Sequence, residues 1–215
     1  MPSQSLARLI FGQDLLGSEE LVGFAVRHGL LMPGHDDPEV PEAFLEAGKR
    51  EPGAFMAILG SSSMVDGSPL TLCTLRARLG MDPEFSEPCF YNQDWYLKEA
   101  FANQAELERR WYLLRKKVRD DSRGLAPMVL AERLKGGYHL PSALLCAYAF
   151  FAHWFNRGGE MLWESDYVWC SDQDHQGDQI YVGRYSDPSG VNKNGFSVHR
   201  HLSIRNSYGM VECSF

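Results

Sequence analysis

The clearest pattern lies between Trp163 and Phe215, where short apolar runs alternate with polar residues and are broken by Gly, Asp, Asn and Pro. Period-two alternation punctuated by turn formers predicts a β-meander. Its strands fall at roughly 166–171, 178–185, 195–203 and 208–214. Just before it, YHLPSALLCAYAFFAHWFNRGG carries the strongest helical signal. Pro141 opens it, Leu144, Tyr148, Phe151, Ala152 and Phe155 recur at helical spacing, and Asn156 with Gly158-Gly159 closes it. LAPMVLAERL, ended by Gly136-Gly137, predicts a further helix. RRWYLLRKKV, from Arg109, predicts a strand, with a helical alternative left open by its flanking charges.

The N-terminal half is patterned for helices. Ser18 reads as a cap, with Glu19 and Glu20 in the first turn, Leu21, Val22, Ala25 and Val26 as the apolar stripe and Gly29 as the stop. A second short helix spans Pro41 to Arg50 with Phe44 and Leu45 on its buried side, and a third spans Pro69 to Leu79 behind Ser68. AFMAIL, between Pro52-Gly53 and Gly60, predicts a buried strand. MDPEFSEPCF breaks regularity and is expected to join an N-terminal helical subdomain, 1–85, to a second domain, 86–215. Residues 90–108 are ambiguous between strand and helix. Helices grouped ahead of a run of strands predict an α+β fold rather than a βαβ one. The 109–118 strand is expected to pair with the last one and close the domain.

Composition narrows the function classes. A formal charge of −7 argues against non-specific nucleic-acid binding, which needs a basic face. No apolar run is long enough for a bilayer span. The first residues make a poor signal peptide, so the chain is expected to be cytoplasmic as synthesised. The five cysteines form no CxxC pair, which suits free, buried thiols in a reducing compartment.

The segments SLARLIFGQD, RRWYLLRKKV, YHLPSALLCAYAF and YVWCSDQDHQGDQIYVGRYSDPSGVNKNGFSVHRH together resemble bacterial C-type-lectin-like proteins related to variable proteins of diversity-generating retroelements. More distantly they are similar to the formylglycine-generating fold. The resemblance implies a C-type-lectin-like domain whose C-terminal strands and loops display a ligand-binding face. It implies scaffold positions at Val168, Ile180, Val182, Gly183, Phe196, Val198 and Gly209. Displayed positions would be Asp178, Tyr181, Arg184, Ser197, His199, Arg200, His201 and Asn206. The family's late Trp is replaced by Leu202 or missing, and NSYGMVECSF lacks its Arg-Lys ending. Both departures point to a fixed relative using the same face for one partner.

Strand alternation supports such a face on its own terms. Ile180 and Val182 share one side and Tyr181 takes the other; Phe196 and Val198 face the core, leaving Ser197, His199 and His201 together. Tyr, His, Arg, Asn and Ser are the side chains of an adaptable binding surface.

Other constellations read as structural. Asp172 to Gly177 begins like a calcium loop, but its twelfth position is Gly183, so the bidentate ligand is missing and a polar hairpin turn is expected. His199 and His201 could serve zinc only with a third ligand from elsewhere, such as Asp178 or His153, so surface histidines are expected. Cys170 and Cys213 lie in separate strands without sequence partners, Ser61-Ser62-Ser63 lacks the glycines of a nucleophile elbow, and His35-Asp36-Asp37 falls in a Pro-rich loop. The expectation is a non-enzymatic protein without cofactor, binding a protein or cell-surface ligand. An oxidase of the formylglycine-generating type and a structural phage- or element-encoded component are the alternatives.

Overall fold

The computed structural model describes residues 2–31, 37–83, 88–185, 195–200 and 203–215. In chain order the elements are α1 (Pro2–Phe11), β1 (Leu15–Leu16), α2 (Ser18–His28), α3 (Glu42–Arg50), β2 (Phe55–Leu59) and α4 (Leu72–Leu79). Then come α5 (Ala100–Asn103), β3 (Trp111–Arg115), α6 (Pro127–Arg133), α7 (Ala143–Asn156), β4 (Tyr167–Gln173) and β5 (Gln179–Tyr185). β6 (Gly195–His199), β7 (Tyr208–Gly209) and β8 (Cys213–Ser214) complete a mixed α+β architecture with two small sheets.

The first sheet has the order β1-β2-β3-β8. Every residue of β2 is buried, as an unbroken apolar run between turn formers requires. It pairs antiparallel with β3 from Phe55↔Arg115 to Leu59↔Trp111, and β1 runs parallel on its other side. β3 then pairs with β8 through Leu113↔Ser214 and Leu114↔Cys213, so the expected closure of the 109–118 strand by the end of the chain is present. Glu212, nearly buried ahead of β8, accepts hydrogen bonds from Arg115 Nε and Arg119 Nη1 and ties that closure to the strand it meets.

The second sheet has the order β6-β5-β4-β7. α7 joins the two sheets. It is buried on all sides from Ala143 to His153, the signature of a helix enclosed by protein rather than laid on a surface. Tyr148 donates its hydroxyl to Leu59 O at the end of β2 (3.1 Å), while Phe150 and Phe151 pack on Phe196 of β6. Ser142 caps the helix by accepting from Leu145 N–H, and Asp172 of β4 accepts from Ala143 N–H at 2.6 Å.

Several expectations need correction. The 208–214 strand is two strands: β7 runs parallel to β4 in the second sheet, and β8 belongs to the first. The helix expected from Pro69 starts at Leu72, because Thr71 rather than Ser68 accepts from Thr74 N–H as the cap. On α2 the buried side is Leu21, Phe24 and Ala25, and Val22 and Val26 are exposed. Residues 90–108 contain only the short helix α5 among turns. The join at 81–90 does not separate two cores. β2 from the first half and β3 from the second form the centre of one sheet, and a single apolar cluster runs from Ala7 to Cys213.

Candidate functional site

The alternation read from the sequence sets the two faces of the second sheet. Val168, Ile180, Val182, Phe196 and Val198 point into the main core, and all are fully buried. Gly183 and Gly209 are close-approach positions. A Cβ on Gly183 would lie 2.6 Å from Asp166 O, and one on Gly209 would lie 2.5 Å from Val118 Cγ1. The seven implied scaffold positions are therefore all interior.

The opposite face carries Tyr167 and Trp169 of β4, Tyr181 of β5, Ser197 and His199 of β6 and Tyr208 of β7. The registers Tyr181↔His199, Gly183↔Ser197, Trp169↔Tyr181 and Tyr167↔Tyr208 bring them together. Tyr181 lies 4.7 Å from Tyr208 and 5.0 Å from Trp169 between ring centroids, and its ring stacks on His199 at 5.4 Å. This face is not open to solvent. Leu130 of α6, Leu140 and Met210 pack over it and make it a second, smaller core. Tyr181 is 1% exposed and Ser197 0%. The expectation that both are displayed is corrected: Tyr181 is an interior ring, and the Ser197 hydroxyl donates to Gly183 O at 2.9 Å.

The other predicted positions are spread around this cluster. His199 is half-buried, and burial pushes its pKa down to about 4. Arg200 donates to Asp174 at 2.5 Å, stacks over Trp95 at 4.4 Å and lies 3.7 Å from Glu99. Asp178 is half-buried in the adjoining turn, where its N–H donates to Asp174. Asn206 is exposed in the turn before β7, and its carbonyl accepts from Arg123 at 3.4 Å. Arg184 shares the other face with Ile180 and Val182 and reaches over Trp154 of α7 at 5.9 Å, away from Tyr181. His201 lies outside the described residues, as do His35, Asp36 and Leu202.

The cluster has one chemical peculiarity. Among the described residues, Trp169 Nε1 and His199 Nε2 are buried without a hydrogen-bond partner. The Tyr181 hydroxyl lies beside that of Tyr208 but outside good hydrogen-bond geometry, and burial raises its pKa. A buried polar atom left unpaired costs about 1–3 kcal/mol, so an orphan calls for an explanation.

The calcium-like loop is a hairpin turn whose acids are engaged by protein. Asp174 accepts from the N–H groups of Gln176 and Asp178, both at 2.9 Å, as well as from Arg200. Burial works against its charge, but these donors outweigh burial and hold its pKa low. Asp172 is shifted upward by burial, offset in part by Ala143 N–H. Among the described residues no group of three or more His, Cys, Asp or Glu is placed to hold a metal ion. No described helix is long and apolar enough to cross a membrane.

The thiols depart from expectation in one respect. Cys170 and Cys213, far apart in sequence, both interact with Cys146 of α7, and all three are fully buried. Burial first, and then the neighbouring thiol, pushes Cys170 upward; Cys213 is raised in the same way. Ser61 is buried and donates to Leu31 O at 2.7 Å.

Sequence reasoning missed Tyr167, Trp169 and Tyr208 as members of the aromatic cluster. The signal was available in DYVWC, where Tyr167 and Trp169 alternate with the core residues Val168 and Cys170. Comparison of the chain with family models, curated proteins and solved structures finds no match.

Proposed function

We propose that this chain is a non-enzymatic binding protein, of C-type-lectin-like plan, that takes a protein or cell-surface ligand on the outer side of its second sheet. His199, Arg200, Asp178 and Asn206 border the contact surface, and Tyr181 and Ser197 support it from beneath. The observation that carries the reading is the polar edge of the ring cluster, where His199, Arg200 and Asp178 are half-buried rather than enclosed and His199 stacks on Tyr181. Partly exposed polar groups beside fixed rings are available to a ligand in a way that the enclosed Trp169 and Tyr181 are not. Rigid rings beside adaptable polar groups also suit binding without large ordering losses. Pairing of β8 with β3 and the strand–helix–helix–strand order support the lectin-like plan.

The test is affinity capture followed by direct binding of the captured partner with purified components. The double variant His199→Gln, Asn206→Ala is expected to lose at least tenfold in affinity while its thermal midpoint stays near that of the parent. Unchanged affinity in the folded variant overturns the reading.

One observation favours a second reading, a thiol oxidase: Cys146, Cys170 and Cys213 meet inside the fold. Their complete burial and raised pKa values weigh against it, because the thiolate is the reactive form.

A further inference from the structure

A cavity of about 480 Å³ opens between α2, α4 and the C-terminal half of α7, remote from the aromatic cluster of the second sheet. That volume is in the range of small-molecule sites. Its apolar walls are aromatic: Phe24 of α2 and Phe151, Trp154 and Phe155 of α7. Among the described lining residues the ionisable groups are Arg27, His28 and Arg78, with no Asp or Glu. That bias runs against the whole chain, which carries 28 acidic residues against 21 Lys and Arg.

The cations are also placed for a flat ligand. Arg27 is exposed, no carboxylate pairs with it among the described residues, and its guanidinium lies 5.9 Å from the Phe155 ring. Arg78 is half engaged, with one Nη on Asp66 at 2.8 Å. The His28 ring packs 5.0 Å from that of Phe24. Aromatic walls supply flat apolar area, and a guanidinium offers a planar fork to an oxyanion. A neutral or cationic guest would leave that fork unused.

We propose that this cavity binds a flat aromatic anion, with its ring against Phe155 and Trp154 and its carboxylate or phosphate on Arg27. This site is separate from the surface invoked for the proposed function and stands or falls without it.

The test is calorimetric titration of the whole chain with naphthalene-2-carboxylate, 2-naphthyl phosphate and the uncharged naphthalene-2-carboxamide, with tryptophan emission followed in parallel. At least one anion is expected to bind saturably and about tenfold or more tighter than the carboxamide, and Arg27→Gln to remove about tenfold of that advantage. The tighter anion identifies the head group. Lys98→Gln, exposed and outside the cavity, is the charge control and is expected to bind as the parent does. The His199→Gln, Asn206→Ala double variant is expected to keep the affinity, which separates the two sites. Equal binding of the carboxamide, no saturable binding of either anion at millimolar concentration, or an Arg27→Gln affinity equal to the parent's overturns the proposal.

Discussion

His199 shows how one side chain can be both legible and misread. Strand alternation correctly puts it opposite Tyr181, but its exposure depends on what packs over the sheet, and that is set by residues far away in sequence. Its pKa is held down to about 4 from an ordinary value of 6.5, because the charged ring would lose water without gaining a partner. The folded state therefore favours the neutral ring, while the unfolded chain takes up a proton near pH 6.5. Stability is unaffected above that pH, falls as the pH drops from 6.5 to 4, and loses no more from this group below 4. Allowing for partial exposure, the loss at pH 5 is roughly 1–2 kcal/mol. His28 and His153 are shifted in the same direction by burial and steepen the same window. Urea unfolding of the parent and of His199→Gln between pH 7 and pH 5 isolates the contribution: the variant should show the shallower dependence. Parallel curves would mean that His199 is protonated equally easily in both states.

At the scale of elements, the helix at 143–156 was legible because Ala, Leu and aromatics recur without a breaker between Pro141 and Gly158. The strand at Trp111 was legible for the opposite reason, its β-favouring aromatics outweighing the charged flanks. What the pattern could not give is which element lies against which. Leu130, on a short helix that precedes β4 by more than thirty residues, covers the outer face of the meander, and nothing local to either segment encodes that contact. The same limit hid the meeting of Cys146 on α7, Cys170 on β4 and Cys213 on β8. Because those thiols are enclosed and held protonated, a thiol reagent added to native protein should modify only Cys73, which is half-buried and itself shifted upward by burial. The other four should react only on unfolding. Mass spectrometry of protein labelled with and without denaturant reads the outcome. Rapid native labelling of Cys170 and Cys213 as a pair would instead revive the oxidase reading.

For the whole molecule, the sequence suggests a seam at MDPEFSEPCF, because its prolines break both helix and strand patterns. A break in pattern marks a loop, however, and a loop becomes a domain boundary only where few contacts cross it. Here the crossing contacts are central. β2 contributes a full antiparallel register to β3, and Leu59 O receives the Tyr148 hydroxyl. Ion pairs also bridge the halves: Lys116 with Asp14 at 2.5 Å, Arg115 with Glu51 at 2.8 Å and Arg109 with Asp37 at 3.8 Å. Removing residues 1–85 would strip β3 of its five-residue partner and open the side of α7 that meets α2, exposing apolar surface at about 25 cal/mol per Å². Typical domains are stable by only about 5–15 kcal/mol, so losing a sheet partner and a helix cover together is expected to unfold the rest. The fragment 86–215 expressed alone is therefore expected to lack dispersed amide resonances, and to regain them when residues 1–85 are supplied as a separate chain. A fragment that folds alone, with the near-ultraviolet dichroism of its Trp and Tyr rings intact, would restore the two-domain description and reduce the β2–β3 register to a docking contact.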